Sequence, residues 1–302
     1  MIRRRSAMPL RCVGLGEVLW DLLPSGRQLG GAPANFAFHA AALGAEGRVV
    51  SRVGNDELGR ALLDRLRELG LPRDAIAVDP AAPTGTVSVA MEAGGHPRYT
   101  IHEGVAWDRL EAGPAGRAAL AAADAVCFGS LAQRTSGARA AIAALLDATP
   151  ATALRIFDVN LRQHYHSPEV LRSSLARANV LKVNETELPV LGAQLGLPAE
   201  ERAALAALAA AYPLRAVIHT RGERGSLALV DGAWVEHPGV RVEVADTVGA
   251  GDAFTAAFAL GLLRAWAPAT ILERATEVAA FVCTRRGATP ELPPGLTAPF
   301  RG

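Results

Sequence analysis

The sequence is poor in the features that mark several large classes of protein. Its 302 residues include 3 cysteines, Cys12, Cys127 and Cys283, which lie far apart and form no CxxC pair, so neither a disulfide framework nor a thiolate zinc site is expected. No apolar run approaches the roughly 20 residues that a membrane span needs, and the basic amino terminus lacks the apolar core of a signal peptide. Lys and Arg number 31 against 30 Asp and Glu, and this balance argues against a nucleic-acid or anionic-membrane surface. These absences predict a soluble cytoplasmic protein, and the composition allows an enzyme that acts on small molecules.

Apolar sequence is abundant, and it is arranged in alternating short and long segments. Half of the residues are hydrophobic, enough for a sizeable core. Short runs without polar–apolar alternation predict strands covered on both faces, and Ala/Leu-rich stretches between them predict helices. The predicted strands begin at Val13, Arg48, Ala125, Arg155, Val180 and Ala216, and the predicted helices cover 58–69, 138–146, 200–211, 253–263 and 271–283. This order predicts an α/β fold with a mainly parallel sheet flanked by helices, in one domain over 1–302.

One segment departs from that pattern. Residues 84–91 alternate polar and apolar side chains, Ala93-Gly-Gly-His supplies a turn, and an extended stretch follows. The pattern predicts a β-hairpin over about 84–103, either a flap over an active site or an antiparallel extension of the main sheet. Its apolar side chains must pack on the main domain or on a second copy of the chain, and they are Val87, Val89 and Met91.

The motif with the clearest chemistry is Asp246-Thr-Val-Gly-Ala-Gly-Asp252, which runs directly into an apolar helix. Gly249, Ala250 and Gly251 carry little or no side chain, so their N–H groups can approach an anion at the helix start. Asp252 then places a carboxylate beside that site, where it can act as general base for a hydroxyl that attacks a phosphoryl group. The alternative is a glycine turn before a buried helix, with Asp252 as a capping residue.

A second glycine motif, Gly30-Gly-Ala-Pro-Ala-Asn35, predicts a helix that ends before Gly44. Paired glycines bring the backbone close to a ligand, and the Asn35 amide can both donate to and accept from a hydroxyl. Upstream, Gly16-Glu-Val-Leu-Trp-Asp21 ends the first predicted strand with a carboxylate, at the edge where open α/β sheets bind ligands. Taken singly, each stretch also suits an ordinary helix cap or turn.

Other catalytic motifs are missing or partial. No GxxxxGK[ST] sequence occurs, which excludes a P-loop kinase. Gly14-Leu-Gly16 begins a dinucleotide fingerprint, but Leu19 stands in the position of the third glycine, so a nucleotide-dependent oxidoreductase is a weak alternative. His164 and His166 flank Tyr165 and are expected at the surface rather than on a metal ion.

These motifs resemble the two signatures of the ribokinase-like (PfkB) carbohydrate kinase family. Residues 246–259 are similar to the second signature, and the first is matched by Gly30, Gly31, Pro33, Asn35, Ala37, Gly44 and Gly54. Between them, Asn184-Glu-Thr-Glu187 is similar to the NxxE motif of the family, and Thr220-Arg-Gly-Glu-Arg-Gly225 to its nucleotide loop. The resemblance covers nearly the whole chain. It implies the ribokinase-like fold, with a central mainly parallel sheet and a small β-hairpin lid at about 84–103.

The resemblance also implies a role for each motif. Members of the family transfer the γ-phosphoryl group of ATP to a sugar hydroxyl, with Asp252 as base and an anion hole at Gly249, Ala250 and Gly251. The sugar-binding residues that it implies are Asp21, Gly31, Asn35 and Arg162. Asn184 and Glu187 would organise Mg²⁺ and phosphates through water, and the nucleotide loop would contribute Thr220, Gly222 and Gly225. A potassium ion, bound by many relatives, would lie at Asp246, Val248 and Gly287.

Three stretches, 16–21, 30–33 and 158–162, are most similar to fructokinases and predict D-fructose as the acceptor. Arg162 supports a competing interpretation, because a guanidinium pairs bidentately with the carboxylate of 2-keto-3-deoxygluconate or with a sugar phosphate. The same arginine can instead face the phosphates of ATP. A catalytically silent sugar-binding regulator on the same fold is a further alternative, against which the intact Asp252 argues. Lid-to-lid contacts in the family imply a homodimer.

Overall fold

The computed structural model describes residues 9–24, 26–91 and 97–301, which form two β-sheets and ten α-helices. The strands are β1 Arg11–Leu15, β2 Leu19–Leu23, β3 Gly26–Gly30, β4 Glu46–Gly54, β5 Ile76–Asp79, β6 Thr86–Met91, β7 Pro97–Ile101, β8 Ala125–Phe128, β9 Leu154–Asp158, β10 Val180–Asn184, β11 Ala216–Thr220, β12 Ser226–Val230 and β13 Ala233–His237. The helices are α1 Ala32–Ala42, α2 Glu57–Glu68, α3 Pro114–Ala121, α4 Ser136–Asp147, α5 Pro168–Arg177, α6 Glu187–Leu195, α7 Glu201–Ala211, α8 Ala250–Leu263, α9 Pro268–Cys283 and α10 Pro294–Thr297.

The larger sheet has nine strands in the order β13-β12-β11-β10-β9-β8-β1-β4-β5. Neighbours pair in parallel from β5 to β11, and β12 and β13 are added antiparallel. The chain builds outward from β1 to β5 on one side and from β8 to β13 on the other, so the strand order reverses between β1 and β8. Open parallel sheets bind ligands beyond the carboxyl ends of their strands at such a reversal.

Helices cover both faces of this sheet, as the apolar strands predict. One face packs on α3 to α7 through a core in which the Phe128 and Phe157 rings stack at 5.4 Å between centroids. The other face packs on α1, α8 and α9, with Phe36, Phe254 and Phe258 at its centre. The predicted α/β fold with a mainly parallel sheet is confirmed.

Helix α8 is buried over most of its length. Its residues from Ala253 to Leu262 are all buried, and an apolar surface on every side is typical of a helix inside the core. Its first turn, which includes Asp252, is the part that reaches the edge of the sheet. In the part of the chain that the structure describes, no helix has the length and apolar character required to cross a bilayer.

The small sheet has four strands in the order β3-β2-β6-β7. The predicted hairpin is present, since β6 and β7 pair antiparallel, but its turn at 93–96 lies outside the described residues. The sheet is larger than predicted because β2 and β3 form a second hairpin, and β2 pairs in parallel with β6. Val87 and Ile101 pack into the main core, so the hairpin rests on the body of the protein at these positions.

The placement of Asp21 corrects the expectation from sequence. We expected Asp21 to end the first strand of the main sheet, but it lies in the middle of β2, paired with Gln28 and Val87 in the small sheet. Strand β1 of the main sheet ends at Leu15, and Glu17 is the second residue after it. The chain crosses to the small sheet because Leu19-Trp-Asp-Leu-Leu pairs with Gly26–Gly30 rather than continuing β1.

Candidate active site

The site begins at the start of α8. Gly249 caps this helix with φ +80°, and a Cβ there would lie 2.5 Å from the Ala288 carbonyl oxygen, so only glycine fits. The preceding turn is held by Asp246, whose Oδ1 accepts from the Val248 N–H at 3.1 Å and whose Oδ2 accepts from the Gly287 N–H at 3.0 Å. The carboxylate of Asp246 thus brings together the three residues predicted for potassium. At the helix start the Ala250 N–H donates to the Thr247 carbonyl oxygen at 3.3 Å, and first-turn N–H groups that have no such partner are the donors that an anion site uses.

Asp252 stands in the first turn of α8, half-buried, and is oriented by a residue distant in sequence. The Asn35 amide Nδ2 donates to Asp252 Oδ2 at 2.8 Å, which ties α1 to α8. Burial and the nearby Asp158 carboxylate raise the pKa of Asp252 to about 6. At neutral pH this carboxylate is therefore ionised yet more basic than an ordinary aspartate, which suits a general base.

The Asn35 amide has a protein partner that sequence did not predict. Its Nδ2 donates one of its two N–H groups to Asp252, and the predicted contact of this amide to a sugar hydroxyl stays a prediction. Its Oδ1 is buried and has no hydrogen-bond partner among the described residues. An unpaired buried acceptor is costly, so this oxygen, together with the second N–H of Nδ2, is available to a ligand.

A buried ion pair lies behind α8 and was not predicted from sequence. Lys182 Nζ on β10 donates to Asp158 Oδ1 on β9 at 3.0 Å, and both side chains are less than 10% exposed. Thr255 Oγ1 on α8 lies 3.1 Å from Asp158 Oδ2 and 2.8 Å from the Gly251 carbonyl oxygen, so its hydroxyl proton can serve either acceptor and links the pair to the helix that carries Asp252. The available signal was a lysine inside the apolar run Val180-Leu-Lys-Val, because a charge in a buried strand needs a partner. We call residues 249–252 with Asp158 and Lys182 the α8 end of the site.

The start of α1 packs tightly against the end of β1. Gly31 caps α1 with φ +108°, and a Cβ there would lie 2.5 Å from the Glu17 carbonyl oxygen. At Gly14 a Cβ would collide with the Pro33 carbonyl oxygen. The Gly14-Leu-Gly16 pattern therefore serves this close approach of helix and strand. A dinucleotide fingerprint requires the helix to follow the glycines directly, but here β2 and β3 intervene, so the oxidoreductase alternative is wrong.

Two further carboxyl groups, Glu17 and Asp21, lie on this side of the site. Glu17 belongs to the predicted motif at 16–21, but it was not predicted as a site residue. It is 2% exposed, and its Oε2 has no hydrogen-bond partner among the described residues. Burial raises the pKa of Glu17 to about 7 and the pKa of Asp21 to about 6, and in both cases the positive charge of Arg162 opposes the rise. The charge of Arg162 is therefore close enough to act on both carboxyl groups, although its guanidinium donates to the Leu161 carbonyl oxygen and the residue is exposed. We call Glu17, Asp21 and Arg162 the β2 end of the site.

The residues predicted for the nucleotide lie together at the ends of β10 and β11. Asn184 and Thr220 are register partners on these neighbouring strands. Glu187 is buried, and its two oxygens accept from the Leu161 N–H at 3.1 Å and the Asn184 N–H at 2.9 Å. Gly222 and Gly225 have φ of +56° and +80°, and a Cβ at Gly225 would collide with the His237 carbonyl oxygen. The loop is thus built for glycine, and it lies two strands away from Asp158 on β9.

Within the described ranges, no group of three or more His, Cys, Asp or Glu side chains could hold a metal ion. The carboxylate of Glu187 is occupied by backbone donors, so it suits contact with Mg²⁺ through water better than direct ligation. His164 has a side chain that is 77% exposed, as expected for a surface residue.

Comparison with known proteins identifies the family. A profile for pfkB family carbohydrate kinases matches residues 26–294, most of the chain. The chain belongs to the PfkB family of carbohydrate kinases. It is 30% identical to the fructokinase of Klebsiella pneumoniae over 296 residues, which is 92% of this chain and 95% of that one. The resemblance inferred from the motifs is confirmed.

Solved structures of PfkB kinases share the architecture. An uncharacterized sugar kinase from Pyrococcus horikoshii in complex with ATP has a TM-score of 0.79 at 28% identity, covering 92% of this chain and 94% of its own. The ATP-bound fructokinase of Xylella fastidiosa superposes with a TM-score of 0.85 at 23% identity, covering 96% of this chain and 97% of its own. The chain is thus a sugar kinase with the ribokinase-like fold.

Proposed function

We propose that this PfkB kinase transfers the γ-phosphoryl group of ATP, bound with Mg²⁺, to a hydroxyl of D-fructose. The observation that carries the proposal is the pairing of an oriented carboxylate, Asp252, with the N–H groups at the start of α8. One group can remove a proton from a hydroxyl while the others stabilise the charge of the phosphoryl group. The same geometry argues against a catalytically silent regulator.

The proposed reaction is an in-line displacement. The hydroxyl oxygen bonds to the γ-phosphorus as the bond to the β–γ bridging oxygen breaks, and the electron pair of that bond leaves with ADP. The hydroxyl proton passes to Asp252, which is ionised at neutral pH because its pKa is about 6. Glu187 would hold Mg²⁺ through water, and the ion would supply positive charge to the phosphates of the nucleotide. Asn184, Thr220, Gly222 and Gly225 would hold the nucleotide.

A neutral acceptor is favoured by the charges of the β2 end. Asp21, together with Glu17 and Asp252, opposes one guanidinium, that of Arg162. An anionic acceptor would have to compete with these carboxyl groups for Arg162, which disfavours 2-keto-3-deoxygluconate and sugar phosphates. The similarity to a fructokinase over almost the whole chain supports fructose in particular. Asp21, Gly31 and the free Oδ1 of Asn35 would contact its hydroxyl groups.

The test is a substrate panel with ATP, in which ADP release is measured at pH 7.5 for fructose, glucose, ribose, 2-keto-3-deoxygluconate and fructose 6-phosphate. We expect kcat/KM for fructose to exceed each of the others at least about tenfold. A higher value for the sugar acid or the sugar phosphate would contradict the acceptor, and no ADP release with any of them would contradict sugar phosphorylation by ATP. Arg162→Gln sharpens the result, because an anionic acceptor would lose far more kcat/KM than fructose.

Two further proposals concern the setting of the enzyme. We propose a potassium site at Asp246, Val248 and Gly287, supported by the two backbone N–H groups of Val248 and Gly287 that donate to the Asp246 carboxylate. Replacing K⁺ by Na⁺ should then lower kcat.

We also propose a homodimer through the small sheet, supported by the 52% exposure of Tyr99 on β7, and sedimentation at micromolar concentration tests it. The buried free thiols of Cys12 and Cys127 support a reducing, cytoplasmic location.

A further inference from the structure

The chain contains a single lysine, and it lies at the α8 end of the site. Of the 31 basic Lys and Arg residues, 30 are arginine and the remaining one is Lys182. Arginine and lysine are not interchangeable, because guanidinium is a broad planar group and ammonium is a compact point charge. Position 182 is therefore the one Lys/Arg position of this chain with a compact ammonium, and it is buried.

The surroundings of Lys182 explain why a guanidinium would not fit. The residue is 6% exposed on β10, between the buried Leu181 and Val183. A Cβ built on Gly251 would lie 3.1 Å from Lys182 Nζ, so the ammonium faces the first turn of α8 at close range. It thus lies directly beside the N–H groups of the anion hole.

The ammonium has more donors than the protein uses. An ammonium carries three N–H groups, whereas in the described parts of the chain Asp158 Oδ1, at 3.0 Å, is the only hydrogen-bond acceptor for Lys182 Nζ. Burial alone would lower the pKa of Lys182, but the charges of Asp158 and Glu187 outweigh it and raise the pKa, so the group stays charged. A buried, charged donor with unused N–H groups beside an anion hole points to oxygen atoms of a ligand.

We propose that Lys182 is a further catalytic residue, whose ammonium donates a hydrogen bond to an oxygen of the phosphoryl group in transit. The proposal rests on the phosphoryl transfer proposed above and adds a cation to it. Lys182 keeps its three protons throughout, while Asp252 receives the proton of the acceptor hydroxyl. Asp158 holds the ammonium in place and is itself held by Thr255, so Asp158 is a positioning residue.

The test must separate a contact to phosphate from simple neutralisation of Asp158. Lys182→Met alone leaves a buried carboxylate unpaired and is expected to unfold easily. The informative variant is the double substitution Lys182→Met/Asp158→Asn, which removes both charges together. Its thermal melting verifies the fold, and calorimetry then compares binding of ADP with binding of a non-hydrolysable ATP analogue. Binding needs no acceptor sugar, so this readout stands even if the proposed acceptor is wrong.

We expect the double variant to bind ADP within about threefold of the wild type but the ATP analogue at least about tenfold more weakly. The kcat of the double variant should fall by about 100-fold or more. The single variant Lys182→Arg keeps a positive charge but should not keep the kcat of the wild type. Equal affinity changes for both nucleotides, or a kcat within about tenfold of the wild type, would overturn the proposal and leave Lys182 as a counter-ion. Failure of sugar phosphorylation in the wild type would instead contradict the proposed function.

The matched control is a second buried ion pair outside the site. Arg134 and Asp108 are joined at 2.6 Å, and each side chain is 5% exposed. The double variant Arg134→Met/Asp108→Asn removes a pair of similar burial, so it should lower the melting temperature as well. Its preference for the ATP analogue over ADP should be unchanged. A similar loss of preference in this control would show that removal of any buried pair has the effect, which would also overturn the proposal.

Discussion

The α8 end and the β2 end of the site differ in the chemical groups that they offer to a ligand. At the α8 end the proposed ligand contacts are N–H groups of the glycine-containing helix start, the Asp252 carboxylate and the Lys182 ammonium, and the two side chains are held by Asn35 and Asp158. At the β2 end the groups are side chains, Glu17, Asp21 and Arg162, and Glu17 keeps an unpartnered carboxyl oxygen. We infer from this difference that the groups proposed for phosphoryl transfer are held in place by the helix start and buried contacts, whereas those proposed for the acceptor are a few side chains.

The largest effect should come from the base at the α8 end. Asp252→Asn keeps the shape and the contact to Asn35 but removes the charge that accepts the proton. We expect kcat to fall by about 10²- to 10⁴-fold, the usual contribution of a positioned general base. A coupled assay of ADP release at saturating ATP and sugar measures it. Turnover within threefold of the wild type would show that Asp252 is not the base.

The next largest effect should come from closing the anion hole with a single methyl group. In Gly251→Ala the new Cβ would lie 3.1 Å from Lys182 Nζ, which is tighter than ordinary contact. We expect a loss of about 100-fold in kcat, comparable to the loss of one donor from an oxyanion hole. The matched control is Gly137→Ala, at the same second position of α4, where nothing lies within 4 Å of the added Cβ. Equal activity in both variants would contradict the proposed anion hole.

A smaller and different effect is expected at the β2 end. Asp21→Asn removes a charged acceptor for sugar hydroxyls, so KM for the acceptor should rise about 10-fold or more while kcat changes little. Initial rates over a range of acceptor concentrations measure both constants. If instead KM for ATP rises and KM for the acceptor does not, Asp21 does not belong to the acceptor site.

Glu17 should affect stability in a pH-dependent manner. Its pKa of about 7 in the folded protein lies above the ordinary 4.5, so the folded state holds a proton that the unfolded chain releases between these values. Stability from this group is present below about pH 4.5 and is lost as pH rises through 7. Relative to the wild type, Glu17→Gln should gain up to about 3 kcal/mol in free energy of unfolding between pH 4.5 and pH 8.

Denaturant unfolding of both proteins at several pH values measures this difference. The control is Glu111→Gln, which makes the same substitution at a side chain that is 75% exposed. A stability difference for Glu17→Gln that stays constant across the range would contradict the buried, protonated carboxyl.

The same contrast explains which parts could be predicted from sequence. The start of α8 is predictable because its glycines and its carboxylate are contiguous in Asp246-Thr-Val-Gly-Ala-Gly-Asp252, and a helix start without bulky side chains is a common anion site. The parallel sheet follows from short apolar runs between helices. Local pattern determines both features.

Long-range pairing decides what the sequence could not show. Asp21 was misplaced because Leu19–Leu23 lacks the alternation of a half-exposed strand, and only its pairing with β3 and β6 puts it in the small sheet. Lys182 and Asp158 meet because β9 and β10 are neighbours, although α5 separates them in sequence. Asn35 reaches Asp252 across most of the chain, so its partner emerges only from the packing of α1 on α8.

The central claim is that Asp252 takes a proton rather than holding the sugar. The most direct measurement is calorimetric binding of fructose to Asp252→Asn at pH 7.5, in parallel with the wild type. The account predicts a Kd within about threefold of the wild type in the variant that has lost turnover. A Kd raised by as much as kcat is lowered would contradict it, because Asp252 would then be a ligand of the sugar and the base would have to be another group.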